Sequence, residues 1–340
     1  MHSKTVLVTG GAGYIGSHTV VELINAGYNP IILDDFRNSK SWIIDRIAQI
    51  TKVTPTCHQV DCQDEGAVME VVKNYPNAIG LIHFAADKAV GESIQKPVQY
   101  YQNNIGSLCV ILKAMKSFGI KHLVFSSSCT VYGEADTAVV TEESPVKAAT
   151  SPYGDTKITC EKIIRYNSNA HDNFGATLLR YFNPIGAHPS GLIGELPQGV
   201  PNNLMPYITQ TAKGIREKLT VFGSDYNTPD GTNIRDYIHV MDLAKAHVKA
   251  LQFLNNTACK ESVTINLGTG KGTSVLEIIN AFENVNQLKL NYEIGPRRVG
   301  DVEQIYANSE RAKKLLGWTC EYSLNEALKH SWEWEKGIDN

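Results

Sequence analysis

A glycine-rich segment at residues 9–16 constrains the fold more than any other part of this chain. It follows a short β-branched run at residues 5–8 and precedes residues 15–26, whose apolar side chains recur at helical spacing. Glycine permits a tight turn between the two elements. The first turn of the following helix offers free backbone N–H groups and partial positive charge. Together these features predict a strand, a turn and a helix that bind an anionic group.

Short apolar runs alternate with helical patterns through the rest of the first half. The runs predicted as strands are residues 30–33, 57–60, 80–84, 122–126 and 176–181, and the helical stretches are 65–74, 98–118 and 153–169. Near-continuous apolar strands that alternate with helices are typical of a parallel sheet covered on both faces. The expected fold class is therefore α/β, a doubly wound parallel Rossmann sheet with a smaller C-terminal α/β substrate domain.

The composition changes after residue 182. Residues 184–206 are dense in Gly and Pro, and long irregular segments of this kind are often functional. We expect a nucleotide-binding Rossmann domain at 1–182 and a substrate domain at 183–340, with part of 235–270 returning to the first domain.

Composition and charge exclude several classes of protein. With 42% hydrophobic and 20% charged residues, the chain has enough apolar material for a core. The net charge of −3 does not favour nucleic acid as a partner. No apolar run approaches the ~18 residues of a membrane span, and the N-terminus has no signal-peptide pattern.

Cysteine usage predicts a reduced protein. Seven cysteines are present and none forms C-x-x-C, so neither a disulfide framework nor a zinc site is expected. They are Cys57, Cys62, Cys109, Cys129, Cys160, Cys259 and Cys320. The expected location is the cytoplasm.

The glycine segment and two acidic residues predict a dinucleotide site. The patterns G-x-G-x-x-G and G-x-x-G-x-x-G overlap in Gly10, Gly11, Gly13 and Gly16. Asp34 ends the second predicted strand, where a carboxylate accepts a hydrogen bond from a ribose 2′-hydroxyl and repels a 2′-phosphate. This favours NAD, while the nearby Arg37 leaves NADP as an alternative. Asp61, after the third strand, is placed to meet the adenine.

Tyr153, Lys157 and Ser128 predict acid–base chemistry. Tyr153 and Lys157 are four residues apart and share one face of a predicted helix. A tyrosine hydroxyl titrates near 10 and is a poor base at neutral pH, so a shift of roughly 3 units, or about 4 kcal/mol, is needed. The lysine ammonium and an oxidised nicotinamide ring would both favour the phenolate. Ser128, at the end of a predicted strand, is placed to hydrogen-bond a reacting hydroxyl.

Longer runs narrow the prediction. They are GES at 91–93, SSSCTVYG at 126–133, LRYFNP at 179–184, PNNLMP at 201–206 and RDYIHVMDL at 235–243. With the glycine, tyrosine, lysine and serine motifs, they resemble the extended short-chain dehydrogenase/reductase family and, within it, the UDP-glucose (UDP-galactose) 4-epimerases. The resemblance covers nearly the whole chain, from about residue 4 to residue 334.

The resemblance implies a set of NAD-binding residues beyond Gly10, Gly13 and Gly16. The pyrophosphate would lie against Tyr14 and Ile15. The adenosine half would be surrounded by Asp34, Asp35, Phe36, Arg37, Asn38, Ser39, Asp61 and Cys62. The nicotinamide half would contact Phe84, Ala85, Ala86, Lys88, Asn103, Ser128, Tyr153, Lys157 and Phe182.

The resemblance also implies substrate contacts. The sugar nucleotide would meet Ser128, Tyr153, Asn183, Asn203 and Leu204. The uracil would be flanked by Thr220, Val221 and Phe222. The diphosphate would pair with Arg235 and Arg298, the uridine ribose with Asp301, and the sugar with Ile305. Isoleucine is intermediate in size at this last position, which leaves activity on UDP-N-acetyl sugars open.

The implied reaction is reversible inversion at C4 of UDP-galactose or UDP-glucose, through a 4-keto sugar, with NAD kept bound and Tyr153 as the base. A homodimer is also implied. Three alternatives share the fold: a sugar-nucleotide 4,6-dehydratase, an epimerase of UDP-glucuronate or UDP-pentoses, and a non-catalytic NAD sensor. Dehydratase chemistry needs an acid beside the active serine or threonine, whereas Cys129 and Thr130 follow Ser128 here.

Overall fold

The computed structural model of the chain describes residues 4–257, 260–298 and 301–338. Its strands are β1 (Lys4–Thr9), β2 (Tyr28–Asp34), β3 (Thr56–Gln59), β4 (Leu81–His83), β5 (His122–Ser128), β6 (Val139–Val140), β7 (Gly175–Tyr181), β8 (Asn183–Ile185), β9 (Leu219–Phe222), β10 (Ile234–Arg235), β11 (Tyr237–His239), β12 (Ser262–Leu267), β13 (Thr273–Ser274), β14 (Tyr292–Gly295) and β15 (Gln304–Ala307).

The helices lie mostly between the strands. They are α1 (Tyr14–Asn25), α2 (Ile43–Thr51), α3 (Glu65–Val72), α4 (Val90–Gln95), α5 (Pro97–Ser117), α6 (Pro152–Ala170), α7 (Leu204–Ala212), α8 (Val240–Thr257), α9 (Val275–Asn286), α10 (Glu310–Leu316) and α11 (Leu324–Gly337), and a 3₁₀ turn follows β5 at Cys129–Tyr132. Within the described ranges, no helix is both long and apolar enough to cross a bilayer.

The central sheet is parallel and has seven strands, which confirms the predicted fold class. Its order is β12-β7-β5-β4-β1-β2-β3, and the neighbouring strands all run in the same direction. The chain proceeds outward from β1 to β3 and then returns to β4 on the other side of β1. In an open α/β sheet, ligands bind at the carboxyl ends of the strands where the order reverses in this way.

Helices cover both faces of the sheet because successive strand residues point to opposite sides. Leu7 belongs to the apolar cluster that contains Ile111 of α5. Val8, the next residue, belongs to the cluster that contains Leu251 of α8. All four side chains are fully buried, so the sheet is a rigid platform for the loops at its edge.

The second lobe is built from small sheets. One has the order β13-β10-β15-β6, and two parallel pairs join β11 to β8 and β14 to β9. Helices α7, α9 and α11 pack around a separate apolar cluster that includes Ile208, Phe282 and Leu328. The chain does not stay in this lobe, because β12 pairs with β7 in the central sheet.

Candidate active site

The predicted cofactor residues gather at the carboxyl edge of the central sheet. After β1 come Gly10, Gly13, Tyr14, Ile15 and Gly16; at the end of β2 come Asp34, Asp35, Phe36, Arg37, Asn38 and Ser39; after β3 come Asp61 and Cys62; after β4 come Phe84, Ala85, Ala86 and Lys88; at the ends of β5 and β7 come Ser128 and Phe182. Helices α5 and α6 supply Asn103, Tyr153 and Lys157. The set therefore lies at the carboxyl ends of the parallel strands, with three members added by two neighbouring helices.

The glycine turn is packed so closely that side chains are excluded. Gly10 has a φ of +66°, and a Cβ there would lie 2.8 Å from the backbone nitrogen of Ala85. A Cβ on Gly16 would lie 2.1 Å from the carbonyl oxygen of Gly10. Helix α1 begins at Tyr14 with Gly13 as its N-cap and no side-chain cap. Its first backbone N–H groups are thus available to a phosphate, and the cradle fits a dinucleotide.

Asp34 ties the glycine turn to the end of β2. Its carboxylate accepts hydrogen bonds from the Ala12 backbone nitrogen at 2.9 Å, the Phe36 nitrogen at 2.9 Å and the Ser39 hydroxyl at 2.8 Å. Burial raises the pKa of Asp34 and these hydrogen bonds lower it. The Asp34 carboxylate is therefore held in one orientation by the protein itself.

Arg37 is engaged by acidic neighbours. Its Nε donates to Asp35 at 2.9 Å, and its Nη2 lies 3.6 Å from Asp61 Oδ1. A 2′-phosphate at this position would meet three carboxylates, those of Asp34, Asp35 and Asp61. The geometry therefore favours NAD over NADP.

Asn104 orders the loop after β4 and was missed in the sequence. Its side-chain oxygen accepts from the Asp87 backbone nitrogen at 2.8 Å, and its amide donates to Asp87 O and Thr156 Oγ1, each at 3.0 Å. It thus joins the β4 loop to α6. An asparagine on the buried face of a helical pattern is the signal that would have found it.

Ser128, Tyr153 and Lys157 come together at the carboxyl end of β5. Ser151 caps α6 by accepting from Gly154 N at 3.2 Å, which sets the helix start beside the strand. The Lys157 ammonium donates to the Ser126 carbonyl at 2.7 Å and lies 5.8 Å from the centre of the Tyr153 ring. Ser128 Oγ accepts from the Thr130 backbone nitrogen at 3.2 Å.

Burial controls the ionisation of the pair. It raises the pKa of Tyr153 to about 12, although the Ser128 hydroxyl pulls in the other direction. Burial also lowers the pKa of Lys157 to about 8. The tyrosine shift is opposite to the one that the sequence predicts for a site with two cations.

Apart from Ser128 and Tyr153, the predicted substrate residues lie in the second lobe, where Val221 and Ile305 are buried and Asn203, Phe222 and Arg298 are exposed. Arg298 Nη2 donates to Asp301 Oδ1 at 2.7 Å, and its guanidinium lies 5.7 Å from the centre of the Phe222 ring. Two residues expected on different parts of one ligand are therefore paired with each other. Thr220 and Val221 precede Phe222 in β9, Asn183 begins β8, and Asn203 and Leu204 begin α7.

Arg235 and Ile305 are neighbours in the parallel pair of β10 and β15. Arg235 Nη1 donates to the Ile234 carbonyl at 2.8 Å. Over residues 4–257, 260–298 and 301–338, no carboxylate lies within ion-pair distance of Arg235. Ile305 is 5% exposed and packs in a cluster with Tyr132 and Phe182.

Glu195 links the two lobes and was also missed. Its Oε1 accepts from Lys88 Nζ at 2.9 Å and from Asn203 Nδ2 at 2.6 Å. Trp334 Nε1 donates to its backbone carbonyl at 2.9 Å. Glu195 lies in the Gly/Pro-rich segment, where no periodic pattern marks it.

A parallel Rossmann sheet with a glycine cradle, an acid at the end of β2 and a tyrosine–lysine–serine centre defines a dinucleotide-dependent enzyme of the short-chain dehydrogenase/reductase type. The family model described as GDP-mannose 4,6 dehydratase matches residues 7–331. The UDP-glucose 4-epimerase of Bacillus subtilis is 49% identical over 336 residues, covering 98% of each chain. The chain belongs to the UDP-glucose 4-epimerase family, and the resemblance noted in the sequence is confirmed.

Two solved structures agree with this assignment over 98% of each chain. The UDP-glucose 4-epimerase from Stenotrophomonas maltophila, with bound NAD and formylated UDP-arabinopyranose, has a TM-score of 0.95 and 45% identity. The enzyme from Bifidobacterium longum, in complex with NAD⁺ and UDP, has a TM-score of 0.94 and 45% identity. The present fold is thus that of relatives crystallised with a dinucleotide and a UDP moiety.

Proposed function

We propose that this chain is an NAD-dependent isomerase that interconverts UDP-galactose and UDP-glucose by inversion at C4 through a 4-keto sugar. The observation that carries the proposal is the meeting of Tyr153, Lys157 and Ser128 beside the glycine cradle. Relatives named for this reaction match almost the whole chain. The expected division of labour places the cofactor on residues 1–182 and the sugar nucleotide on residues 183–340, with β12 contributed back to the first part.

The cofactor residues proposed from the sequence fit NAD. The cradle of Gly10, Gly13 and Gly16 would hold the pyrophosphate, and Asp34 would accept from the adenosine ribose. Asn103 and Lys157 would approach the nicotinamide half. NAD, when bound, supplies an acceptor and donor for the hydrogen on C4.

Tyr153 acts as the proton carrier for the sugar 4-hydroxyl in this proposal. Its phenol is buried, so it needs positive charge nearby to ionise near neutral pH. Lys157 supplies one charge while it remains protonated. Ser128 is placed to hydrogen-bond the same 4-hydroxyl and to keep it aligned with the phenol.

Arg235 and Arg298 are proposed to bind the diphosphate. Guanidinium groups form charge-assisted, bidentate hydrogen bonds with phosphate oxygens. Arg235 has no competing carboxylate in the described part of the chain, whereas Arg298 would exchange Asp301 for the ligand. Because the net charge is −3, these placed cations must provide the attraction. Ile305 would face the hexose. Because isoleucine is intermediate in size, UDP-N-acetyl sugars should also be tested as substrates.

The residues after Ser128 argue against a 4,6-dehydratase. Cys129 and Thr130 occupy the positions where that chemistry needs an acid. Burial raises the pKa of the Cys129 thiol to about 12. This residue is therefore a poor acid and a poor nucleophile near neutral pH.

The decisive experiment supplies UDP-galactose alone to the purified protein. Release of NAD on denaturation, and formation of UDP-glucose without added cofactor, are the expected results. A requirement for a stoichiometric external oxidant would show that the reaction is a net oxidation and not an epimerisation.

We also propose that the protein is a homodimer and lies in the cytoplasm. Val98 of α5 is 67% exposed and Tyr166 of α6 is 74% exposed. The two helices are joined by a hydrogen bond from Tyr101 to Asp155. Such an apolar surface on two packed helices fits a self-association site. The dimer is tested by comparing the sedimentation coefficient of Val98→Glu with that of the unchanged protein, and the variant should sediment as a monomer.

The cysteines bear on the location. Those that the structure describes are free, as in a reducing compartment, and Cys259 lies outside the described residues.

A further inference from the structure

Helix α6 carries a third residue in line with the catalytic pair. Tyr153, Lys157 and Glu161 follow one another at intervals of four residues, so their side chains share one face. Glu161 is only 4% exposed. A buried carboxylate must be paired or hydrogen-bonded, and the residues that satisfy this one connect it to the active site.

The Glu161 carboxylate holds two neighbouring strands. Arg180 of β7 donates to it through Nε at 2.8 Å and through Nη2 at 2.6 Å, which is a bidentate pair. Ser127 of β5 donates its hydroxyl to Glu161 Oε1 at 2.6 Å. Ser127 is the residue directly before Ser128. Glu161 therefore holds the residue next to the catalytic serine.

The preceding residue of β5 is held from the same helix. Ser126 accepts the Lys157 ammonium at its carbonyl, and its hydroxyl is hydrogen-bonded to the Tyr181 hydroxyl. Lys157 and Glu161, one turn apart on α6, therefore fix consecutive residues of β5. The Arg180 guanidinium also stacks 4.8 Å from the ring centre of Tyr132, in the turn that follows Ser128.

We propose that Glu161 is a positioning residue of the catalytic centre, which aligns Ser128 through Ser127 and keeps Lys157 protonated through its negative charge. The inference rests on the proposed function for its kinetic meaning. Burial lowers the pKa of Lys157, and Cys160 and then Glu161 raise it. Because burial raises the pKa of the Cys160 thiol to about 12, this thiol is neutral near pH 7, and the negative charge beside Lys157 is that of Glu161.

Other titratable groups near Lys157 do not replace Glu161. Tyr153 and Cys160 lie on the same helix and are neutral near pH 7, since burial raises the pKa of both to about 12. His83 of β4 is neutral as well, because burial lowers its pKa to about 3. The positive groups beside Glu161 are Arg180 of β7, at 2.6 Å, and Arg165 of α6, at 3.5 Å.

The test is Glu161→Gln, which removes the charge and keeps the shape. Titration of the Lys157 ¹³Cε resonance, assigned by its absence in Lys157→Met, should show a pKa at least about one pH unit lower than in the unchanged protein. With UDP-galactose, kcat should fall roughly tenfold to a hundredfold, while KM changes by less than about twofold. Glu161→Asp should recover part of kcat.

A matched control is Glu335→Gln. Glu335 is also a buried carboxylate, accepts from Thr209 at 2.8 Å, and lies on α11 in the second lobe. Neither the Lys157 titration nor kcat should change. An unaltered Lys157 pKa and kcat in folded Glu161→Gln would overturn the inference.

A double variant keeps the test informative if Glu161→Gln fails to fold. Glu161→Gln leaves Arg180 buried without its partner, which is strongly destabilising. Glu161→Gln/Arg180→Met removes both charges, and a smaller fall in the Lys157 pKa together with the same loss of kcat is expected. Unchanged values in this folded variant would also overturn the inference. If the unchanged protein fails to epimerise, the proposed function is wrong, yet the titrations still decide the role of Glu161.

Discussion

We call the carboxyl end of the central sheet, with its glycine turn, Asp34, Ser128 and Lys157, the cofactor edge. It differs from the second lobe in how firmly its polar side chains are held. Asp34 and Ser128 are each 7% exposed and Lys157 is 4% exposed, and all three are hydrogen-bonded to neighbouring backbone. In the second lobe, the Arg298 side chain is 57% exposed and paired with Asp301. Phe222 is 43% exposed.

This difference suggests two modes of recognition. A prearranged edge loses little conformational entropy when it binds a ligand, which favours a cofactor that stays in place. An exposed arginine that must exchange one partner for another gains less from its ligand. Such a site favours a substrate that enters and leaves at each turnover.

The largest expected effect comes from Tyr153→Phe. Removal of the phenolic hydroxyl eliminates the proposed proton carrier, so kcat should fall by about 10³-fold or more. NAD content and substrate affinity should be nearly retained. Tyr28→Phe is the matched control, since Tyr28 begins β2 at the end of the strand opposite to the site. Comparable losses in both variants would remove Tyr153 from its proposed role.

Gly16→Ala should disrupt the cofactor edge itself. The new Cβ would meet the Gly10 carbonyl at 2.1 Å, and overpacking of this kind costs about 2 kcal/mol or more. Thermal unfolding and NAD retained after purification should both decrease. Gly106→Ala in α5 places its Cβ in open space and should change neither. Full retention of NAD by Gly16→Ala would contradict the proposed cradle.

Arg298→Ala should act on substrate binding alone. Loss of one charge-assisted phosphate contact is worth about 1.4 kcal/mol, which is tenfold in KM for UDP-galactose. The neighbouring Arg297 donates to Asp225 at 2.7 Å, and Arg297→Ala should change KM by less than about twofold. An unchanged KM in Arg298→Ala would sink its assignment to the diphosphate.

The last expected effect is on stability, which should fall gradually in acid. Burial lowers the pKa of His18 and His83 to about 3 and that of His247 to about 4, from 6.5. Since the folded values lie below the unfolded one, the unfolded chain binds protons first as the pH falls. Stability present above 6.5 is therefore lost progressively towards the folded values.

Thermal unfolding between about pH 7 and about pH 5 measures this loss. His247→Gln should make the decline shallower, because it removes one buried imidazole from the first lobe. His171→Gln, at the C-terminal end of α6, is the control. A midpoint that is independent of pH in this interval would refute the account.

Local patterns predicted the parts of the fold that local rules determine. The predicted helix at 98–118 is α5, Pro97–Ser117, and the predicted strand at 176–181 lies within β7. Parallel apolar strands end at one edge, so the placement of Ser128 beside the glycine turn followed from the strand pattern. The sequence predicts the class of fold for this reason.

Long-range contacts account for what remained hidden. The pairing of Glu161 with Arg180 depends on how α6 lies against β7, which no local spacing determines. A charged residue within the apolar run at 176–181 was the available signal. Glu195 joins Lys88 and Asn203 across two loops. The raised pKa of Tyr153 depends on burial, which the four-residue spacing does not convey.

The return of the chain to the central sheet has a consequence for synthesis. Strand β12 completes the sheet edge next to β7, and α8 packs on α1 near the N-terminus. A ribosome must therefore synthesise residues 183–261, about half of the second lobe, before the first sheet has all its strands. Until β12 has been synthesised, β7 lacks its outer neighbour in the sheet. We therefore expect dinucleotide binding to begin only late in translation.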